Sequence, residues 1–208
     1  MKYYLFDFDG TLVDSMPYFA KYMVNVLIEG GIEPPKDIVK KITPLGIEGS
    51  AKYYVSLGLN ATVEEIANNI NTVAKSAYED EIPLKEGVLD FLKRTKEQGI
   101  SMSILTASPH RFLTPCLKRN GVYELFERIW SCEDFNTTKD DPEIYKQVAK
   151  ELGCNTEDII FFDDNIIALQ TAKKAGCKTI GVFDETSEDM IEEIKQETDE
   201  YIYSFLEM

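Results

Sequence analysis

The sequence predicts an α/β protein, a parallel sheet whose strands are spread along the chain and interrupted by an all-helical stretch after the first. Three observations predict it. A continuously apolar segment, Tyr3-Tyr4-Leu5-Phe6, opens the chain and runs straight into a turn, Asp7-Phe8-Asp9-Gly10-Thr11, that carries two acids. Apolar runs of the same kind recur downstream at Ser101 to Leu105 and Asp158 to Phe162, each followed by a polar residue. Strands apolar on both faces belong to sheets covered on both faces, which is the setting of parallel strands. Between the first run and Pro83, by contrast, the apolar residues recur at helical spacing.

Each element follows in turn. Two carboxylates at the end of a core strand are costly to bury unless a metal, a cation or a substrate offsets them. The plainer reading of Asp9-Gly10 is a helix cap or turn. Tyr18, Phe19, Tyr22, Met23, Val26 and Leu27 predict a helix that stops at Gly30-Gly31, and Ile38 to Ile42, Ala51 to Leu57 and Val63 to Tyr78 predict three more. Strand signals return only after Pro83. This divides the chain into a core of residues 1–15 and 83–208 and a helical insert of residues 16–82, with hinges expected near Asp14-Ser15 and Ile82-Pro83. The strand at Ser101 to Leu105 ends in Thr106, and after Ala107 a helix is expected to be capped by Ser108 and opened by Pro109. A hydroxyl and free amides at a helix start suit an anion.

Lys139 precedes an amphipathic helix carrying Ile144, Val148, Ala149 and Leu152. The strand at Asp158 to Phe162 runs into Asp163-Asp164-Asn165, before a helix with Ile166, Ile167, Leu169 and Ala172 that ends at Gly176. Met190, Ile191 and Ile194 mark a last amphipathic helix with a solvated acidic face, and Tyr201 to Phe205 reads as a short final strand.

Taken singly, Thr106 is a strand-end hydroxyl, Lys139 a solvated charge and Asp163-Asp164 a helix start. A parallel sheet, however, gathers its strand ends at one edge, so that Asp7 and Asp9 give the others a common purpose. The ordered set of Asp-x-Asp-x-Thr at Asp7 to Thr11, then Thr106, Lys139 and Asp163-Asp164, resembles the haloacid dehalogenase superfamily, in its branch of phosphoglycolate phosphatases and β-phosphoglucomutases with a helical cap. The likeness runs through nearly the whole chain. It departs from the family where Asp140 and Glu143 stand in the Lys139 segment for Pro and Asp, and where Ala168 stands for a second acid after the Asp pair.

The resemblance implies a Rossmann-like three-layer parallel sheet with an inserted all-helical cap that closes over the site and excludes water. It implies a phosphatase acting on a small phosphorylated metabolite. Asp7 would be the nucleophile, forming an aspartyl-phosphate. Magnesium would be held by Asp7, the Asp9 carbonyl and Asp164, with Asp163 in or beside that shell. Asp9 would act as general acid and base. Thr106, the Ala107 amide and Lys139 would hold the phosphoryl oxygens. The cap loop Pro44 to Ser50, with the following Lys52, Tyr53 and Tyr54, is expected to set specificity, Lys52 as a substrate contact.

Asp9 argues against dehalogenation, which has no alkoxide to protonate. The stretch Asp14 to Phe19 lacks the histidine that sugar phosphomutases of this layout carry, which favours hydrolysis over a phosphomutase. A non-catalytic ligand-binding or regulatory module is disfavoured by the intact acids, because a scaffold would gain stability by losing them. Phosphoglycolate, sugar phosphates, nucleoside monophosphates and pyrophosphate all remain open as substrates. The single histidine, His110, reads as an exposed loop residue.

Composition limits the rest. A net charge of −15 over 208 residues argues against nucleic acid as a partner. Cys116, Cys132, Cys154 and Cys177 form no Cys-x-x-Cys and read as reduced thiols. Met1-Lys2 leads directly into a core strand, leaving no room for a signal peptide, and no apolar run is long enough to span a membrane, so a cytoplasmic monomer or homodimer is expected.

Overall fold

The computed structural model describes residues 2–42 and 45–208 of the chain. Its strands are β1 (Tyr3–Phe6), β2 (Ser101–Thr106), β3 (Arg128–Ser131), β4 (Ile159–Asp163), β5 (Lys178–Val182) and β6 (Glu200–Ile202). Its helices are α1 (Met16–Glu29), α2 (Ile38–Ile42), α3 (Gly46–Ser56), α4 (Val63–Asp80), α5 (Val88–Glu97), α6 (His110–Arg119), α7 (Pro142–Leu152), α8 (Ile166–Lys174) and α9 (Ile191–Glu197). The chain divides into two compact units, Met1–Asp14 with Pro83–Met208, and Ser15–Ile82.

The first unit is a six-stranded sheet in the order β3-β2-β1-β4-β5-β6, and every pairing in it is parallel. β1 is central because the chain builds outward to β3 on one side and then returns to lay β4 on the other. Strand order therefore reverses between β1 and β4, and the crevice at the carboxyl ends of these strands is where such sheets bind ligands.

Alternation along β1 and β4 explains their unbroken hydrophobicity. Leu5 and Phe161, paired in register, point to one face, where they pack with Ile144, Tyr145 and Val148 of α7 and Ile166 and Leu169 of α8. Tyr4, Phe6 and Phe162 point to the other, where Phe6 and Phe162 stack at 4.7 Å between centroids and Phe162 lies 6.1 Å from Phe91 of α5. With helices on both sides, neither strand has a face left for water.

β1 does not stop cleanly at Phe6. The Asp7 amide still donates to the Phe162 carbonyl (2.8 Å), and then the chain doubles back, with the amides of Leu12 and Val13 both donating to the Phe8 carbonyl. Gly10 makes the reversal possible at φ +76°, and a Cβ there would stand 2.7 Å from Asp164 Oδ2. Gly10→Ala is therefore expected to cost about 1–2 kcal/mol in backbone strain alone. It should also push Asp164 aside. A fall in both thermal midpoint and turnover would bear this out, whereas a wild-type midpoint would show that the turn relaxes freely.

Past the turn, the two segments that connect the units run side by side. Val13 bridges Leu84 in antiparallel fashion, the Asp14 amide donates to the Pro83 carbonyl (3.0 Å), and the Lys85 amide donates to the Leu12 carbonyl (2.9 Å).

The second unit consists of α1 to α4. Leu27, Ile38, Ile42, Ala51, Tyr54, Ile66 and Ile70 form its core. Tyr54 is completely buried and donates its hydroxyl to the Met23 carbonyl at 2.9 Å. α4 begins in a capping box, with Thr62 and Glu65 each satisfying the other's backbone amide. No helix among the described residues is long and apolar enough to cross a membrane.

Several local expectations are corrected. Helix α3 begins at Gly46, so most of the segment expected as a loop at 44–50 is helical, while Pro44, like Met1, lies outside the described residues. Ser108 does not cap α6: Pro109 takes the N-cap position and His110 opens the helix. The final strand is only Glu200–Ile202, and Phe205 instead turns inward in a short 3-10 helix against Phe91. The expected last amphipathic helix is present as Ile191–Glu197, anchored by buried Ile194 and preceded after Asp184 by a 3-10 helix. In the last two cases one buried apolar side chain, Phe205 or Ile194, outweighs the local pattern.

Candidate active site

Four charged side chains predicted from the sequence meet at the end of β1. Lys139, in the loop before α7, places its ammonium 2.7 Å from Asp7 Oδ1 and 2.7 Å from Asp163 Oδ2. Its backbone is held by Tyr145 of α7, whose buried hydroxyl lies 3.1 Å from the Lys139 carbonyl and 3.0 Å from that of Ala168. Asp163, the last residue of β4, is completely buried and accepts the Asn165 amide on its other oxygen (2.8 Å). Asp164 is partly accessible and accepts from the Thr11 hydroxyl at 3.0 Å. Asp7, Asp163 and Asp164 each offer a carboxylate oxygen within 4.8 Å of the others.

Three carboxylates facing one ammonium leave an excess of buried negative charge. Burial raises the Asp163 carboxyl, Lys139 opposes the rise and Asp7 adds to it, so that it is pushed up to about 7. Asp164 is held well above the usual carboxylate value by burial, then by Asp163 and Asp7. For Lys139, burial alone would lower the ammonium, but attraction to Asp163 and Asp7 wins and raises it. Hard oxygen donors with a charge deficit of this kind suit a divalent cation, which would relieve the repulsion that now favours protons.

The sign of that proton binding gives a second prediction. Asp163 holds its proton more tightly folded than unfolded, so between the unfolded value near ~4 and about 7 the native state carries the extra proton. Its stabilising effect is full below the unfolded value and is lost as pH rises through the folded one. The metal-free protein should lose stability from pH 5 to 7.5, Asp163→Asn should lose less, and added magnesium should flatten the wild-type slope. Denaturant melts across that range test this, and parallel slopes for wild type and variant would refute it.

The other predicted residues are placed as follows. Asp9 accepts from the Ser108 hydroxyl at 2.5 Å, so the hydroxyl expected to cap a helix reaches across to the β1 turn instead. Thr106, buried at the end of β2, accepts the Ser108 amide at 3.0 Å. Ala107 lies between them and is exposed. His110 pairs with Asp134 at 2.8 Å rather than standing in a loop. Lys52 belongs to the helical unit, where it pairs with Glu48 one turn away on α3 at 2.6 Å, both side chains exposed.

A family profile described as haloacid dehalogenase-like hydrolase matches residues 4–182, from the first strand through β5. The chain belongs to the haloacid dehalogenase-like hydrolases. It is accordingly an enzyme of the hydrolase class. Phosphoglycolate phosphatase 1 of Pseudomonas aeruginosa is 31% identical over 183 residues, covering 84% of this chain and 66% of that protein. A haloacid dehalogenase hydrolase of family IA, variant 3, from Entamoeba histolytica superposes with a TM-score of 0.82 at 22% identity, covering 100% and 95% of the two chains. The β-phosphoglucomutase of Clostridium difficile superposes with a TM-score of 0.77 at 19% identity, over 100% and 93%. At those identities the two structures speak for the shared fold of this hydrolase family.

Two side chains that bear on the site were not singled out in the sequence. Lys85 donates to the Gly10 carbonyl, on the turn itself, and pairs with Asp184. Neither carries a local signal, since a lysine after Leu84 reads as a solvated charge and Asp184 as a turn residue.

Proposed function

We propose that the chain is a magnesium-dependent phosphatase that hydrolyses a small phosphorylated metabolite through an aspartyl-phosphate on Asp7. The observation that carries this reading is the placement of Asp7: a nearly buried carboxylate at the end of the central strand, in contact with one fixed cation and grouped with two further acids. Magnesium, bound by Asp7, Asp164 and the Asp9 carbonyl with Asp163 adjoining, would supply the positive charge that a carboxylate needs to approach a phosphate.

The protein's own groups then divide the work. Lys139 holds Asp7 Oδ1, orienting the carboxylate, and with Thr106 and the Ala107 amide it receives the phosphoryl oxygens. Asp7 forms its bond to phosphorus as the ester oxygen departs in line. Asp9 gives that oxygen a proton. The Ser108 hydroxyl against Asp9 Oδ2 holds the carboxyl in place, and Asp9 later takes a proton back from the water that releases phosphate and regenerates Asp7. In the same reading the helical unit acts as the cap, Lys52 is its substrate contact, and the enzyme works in the cytoplasm as a monomer or homodimer.

The test is phosphate release from a panel of esters with and without magnesium. Phosphoglycolate comes first because the Pseudomonas relative is named for it. Metal-dependent release supports the reading. Isomerisation of a sugar phosphate without release would favour a phosphomutase, and neither activity on any ester would favour a binding module.

A further inference from the structure

We infer that Lys85 is a positioning residue for the catalytic turn, its ammonium clamping the Gly10 carbonyl against the end of β5 so that Asp9 and Thr11 are held at their working places. The inference rests on the reading that this turn carries the chemistry. Lys85 Nζ lies 2.6 Å from the Gly10 carbonyl oxygen, 2.5 Å from that of Phe183 and 2.9 Å from Asp184 Oδ2. An ammonium has three protons to donate, and here each has an acceptor. The pair is largely buried, at 17% side-chain exposure for Lys85 and 3% for Asp184. Asp184 is itself fixed, because its Oδ1 accepts both the amide (3.0 Å) and the hydroxyl (2.6 Å) of Thr186.

One side chain thus joins three segments distant in sequence: the turn after β1, the loop after β5 and the strand-like segment after Pro83. What it grips decides its role. Gly10 stands between Asp9 and Thr11, and its α-carbon packs so close to Asp164 that a single added carbon would collide with that carboxylate. Thr11 donates to the same carboxylate. A shift of the Gly10 peptide would therefore move Asp9, the Thr11 hydroxyl and the space left to Asp164 together.

Stability alone does not account for the pair. Buried ion pairs contribute little beyond what apolar residues of similar size would give, because desolvation offsets the attraction. The two backbone carbonyls gripped by Lys85 are what an apolar substitute could not hold.

The experiment compares Lys85→Met with the double variant Lys85→Met/Asp184→Asn. The single variant leaves Asp184 buried without its cation and should be clearly less stable; the double variant removes both charges and should recover most of the wild-type midpoint. In that recovered protein, kcat on the best ester of the panel is expected to fall about 10- to 100-fold with little change in KM, the effect of misplacing a catalytic group by about 1 Å. Amide exchange at Leu12 and Val13 should quicken at least as much, while amides in β1 and β4 keep their protection.

Wild-type kcat and wild-type exchange in the double variant would overturn the inference. So would a uniform loss of protection with a low midpoint, which would make the pair merely structural. Asp7→Asn run alongside separates the two readings: persistent phosphate release there refutes the phosphatase mechanism, while the exchange data still judge Lys85.

Discussion

Asp7→Asn is expected to remain folded and to lose turnover by roughly four orders of magnitude or more, the scale on which removal of a nucleophile acts. The substitution keeps the shape of the side chain and one oxygen to face Lys139. In the proposed mechanism it removes the negative charge that attacks phosphorus. It also takes one carboxylate away from a cluster already short of positive charge, so stability should hold or rise. Lys139 remains paired with Asp163 at 2.7 Å, which keeps the ammonium compensated. Phosphate release and a thermal melt on the same sample decide the matter. Full turnover in a well-folded variant would show that a different group attacks.

Lys139→Met carries the largest expected effect on the fold. It leaves Asp7 and Asp163 buried and facing each other without their shared cation, a change that costs about 3–5 kcal/mol when a buried pair is broken from one side. That is a large share of the roughly 5–15 kcal/mol that holds a domain together. The loss should depend on pH in a defined direction. At acid pH Asp163 holds its proton and needs no counter-charge, so the variant approaches wild type; the deficit should grow as pH rises through about 7, where Asp163 beside Lys139 gives up its proton in the wild type. Magnesium should restore part of it by standing in for the lost cation. Urea melts at pH 5 and pH 8, with and without magnesium, measure all three effects, and a deficit that grew on acidification would contradict this account.

Much of the sheet was legible because its inner strands are apolar on both faces. Tyr3 to Phe6 and Ile159 to Phe162 announce themselves without alternation, and β2 lies between residues read from the sequence. β3 and β5 were not read from the sequence: β3 is four residues long with an exposed start and one buried position, and β5 opens at exposed Lys178, with Thr179 and Gly181 breaking its apolar run. Short strands interrupted by charged, polar or glycine residues do not stand out as apolar runs. Within the site, Asp7, Asp163, Asp164 and Lys139 could be grouped before any coordinates because parallel topology collects strand ends. Contacts made through a side chain's reach were beyond that logic. Ser108 crosses to Asp9, and Lys85 crosses to Gly10 and Asp184, on distances that no spacing rule encodes.

The antiparallel bridge between Val13 and Leu84, with the Asp14 amide on the Pro83 carbonyl, means that the chain leaves the sheet unit and re-enters it at nearly the same point. A tight hairpin could close that gap. The ordering entropy of everything threaded between the two crossings is then confined to the helices themselves, because the sheet has already fixed where their ends must lie. Such an entry port makes the intervening segment an exchangeable cassette. Evolution can lengthen, shorten or replace it while the strand ends that gather Asp7, Asp163 and Asp164 stay in register on an undisturbed sheet.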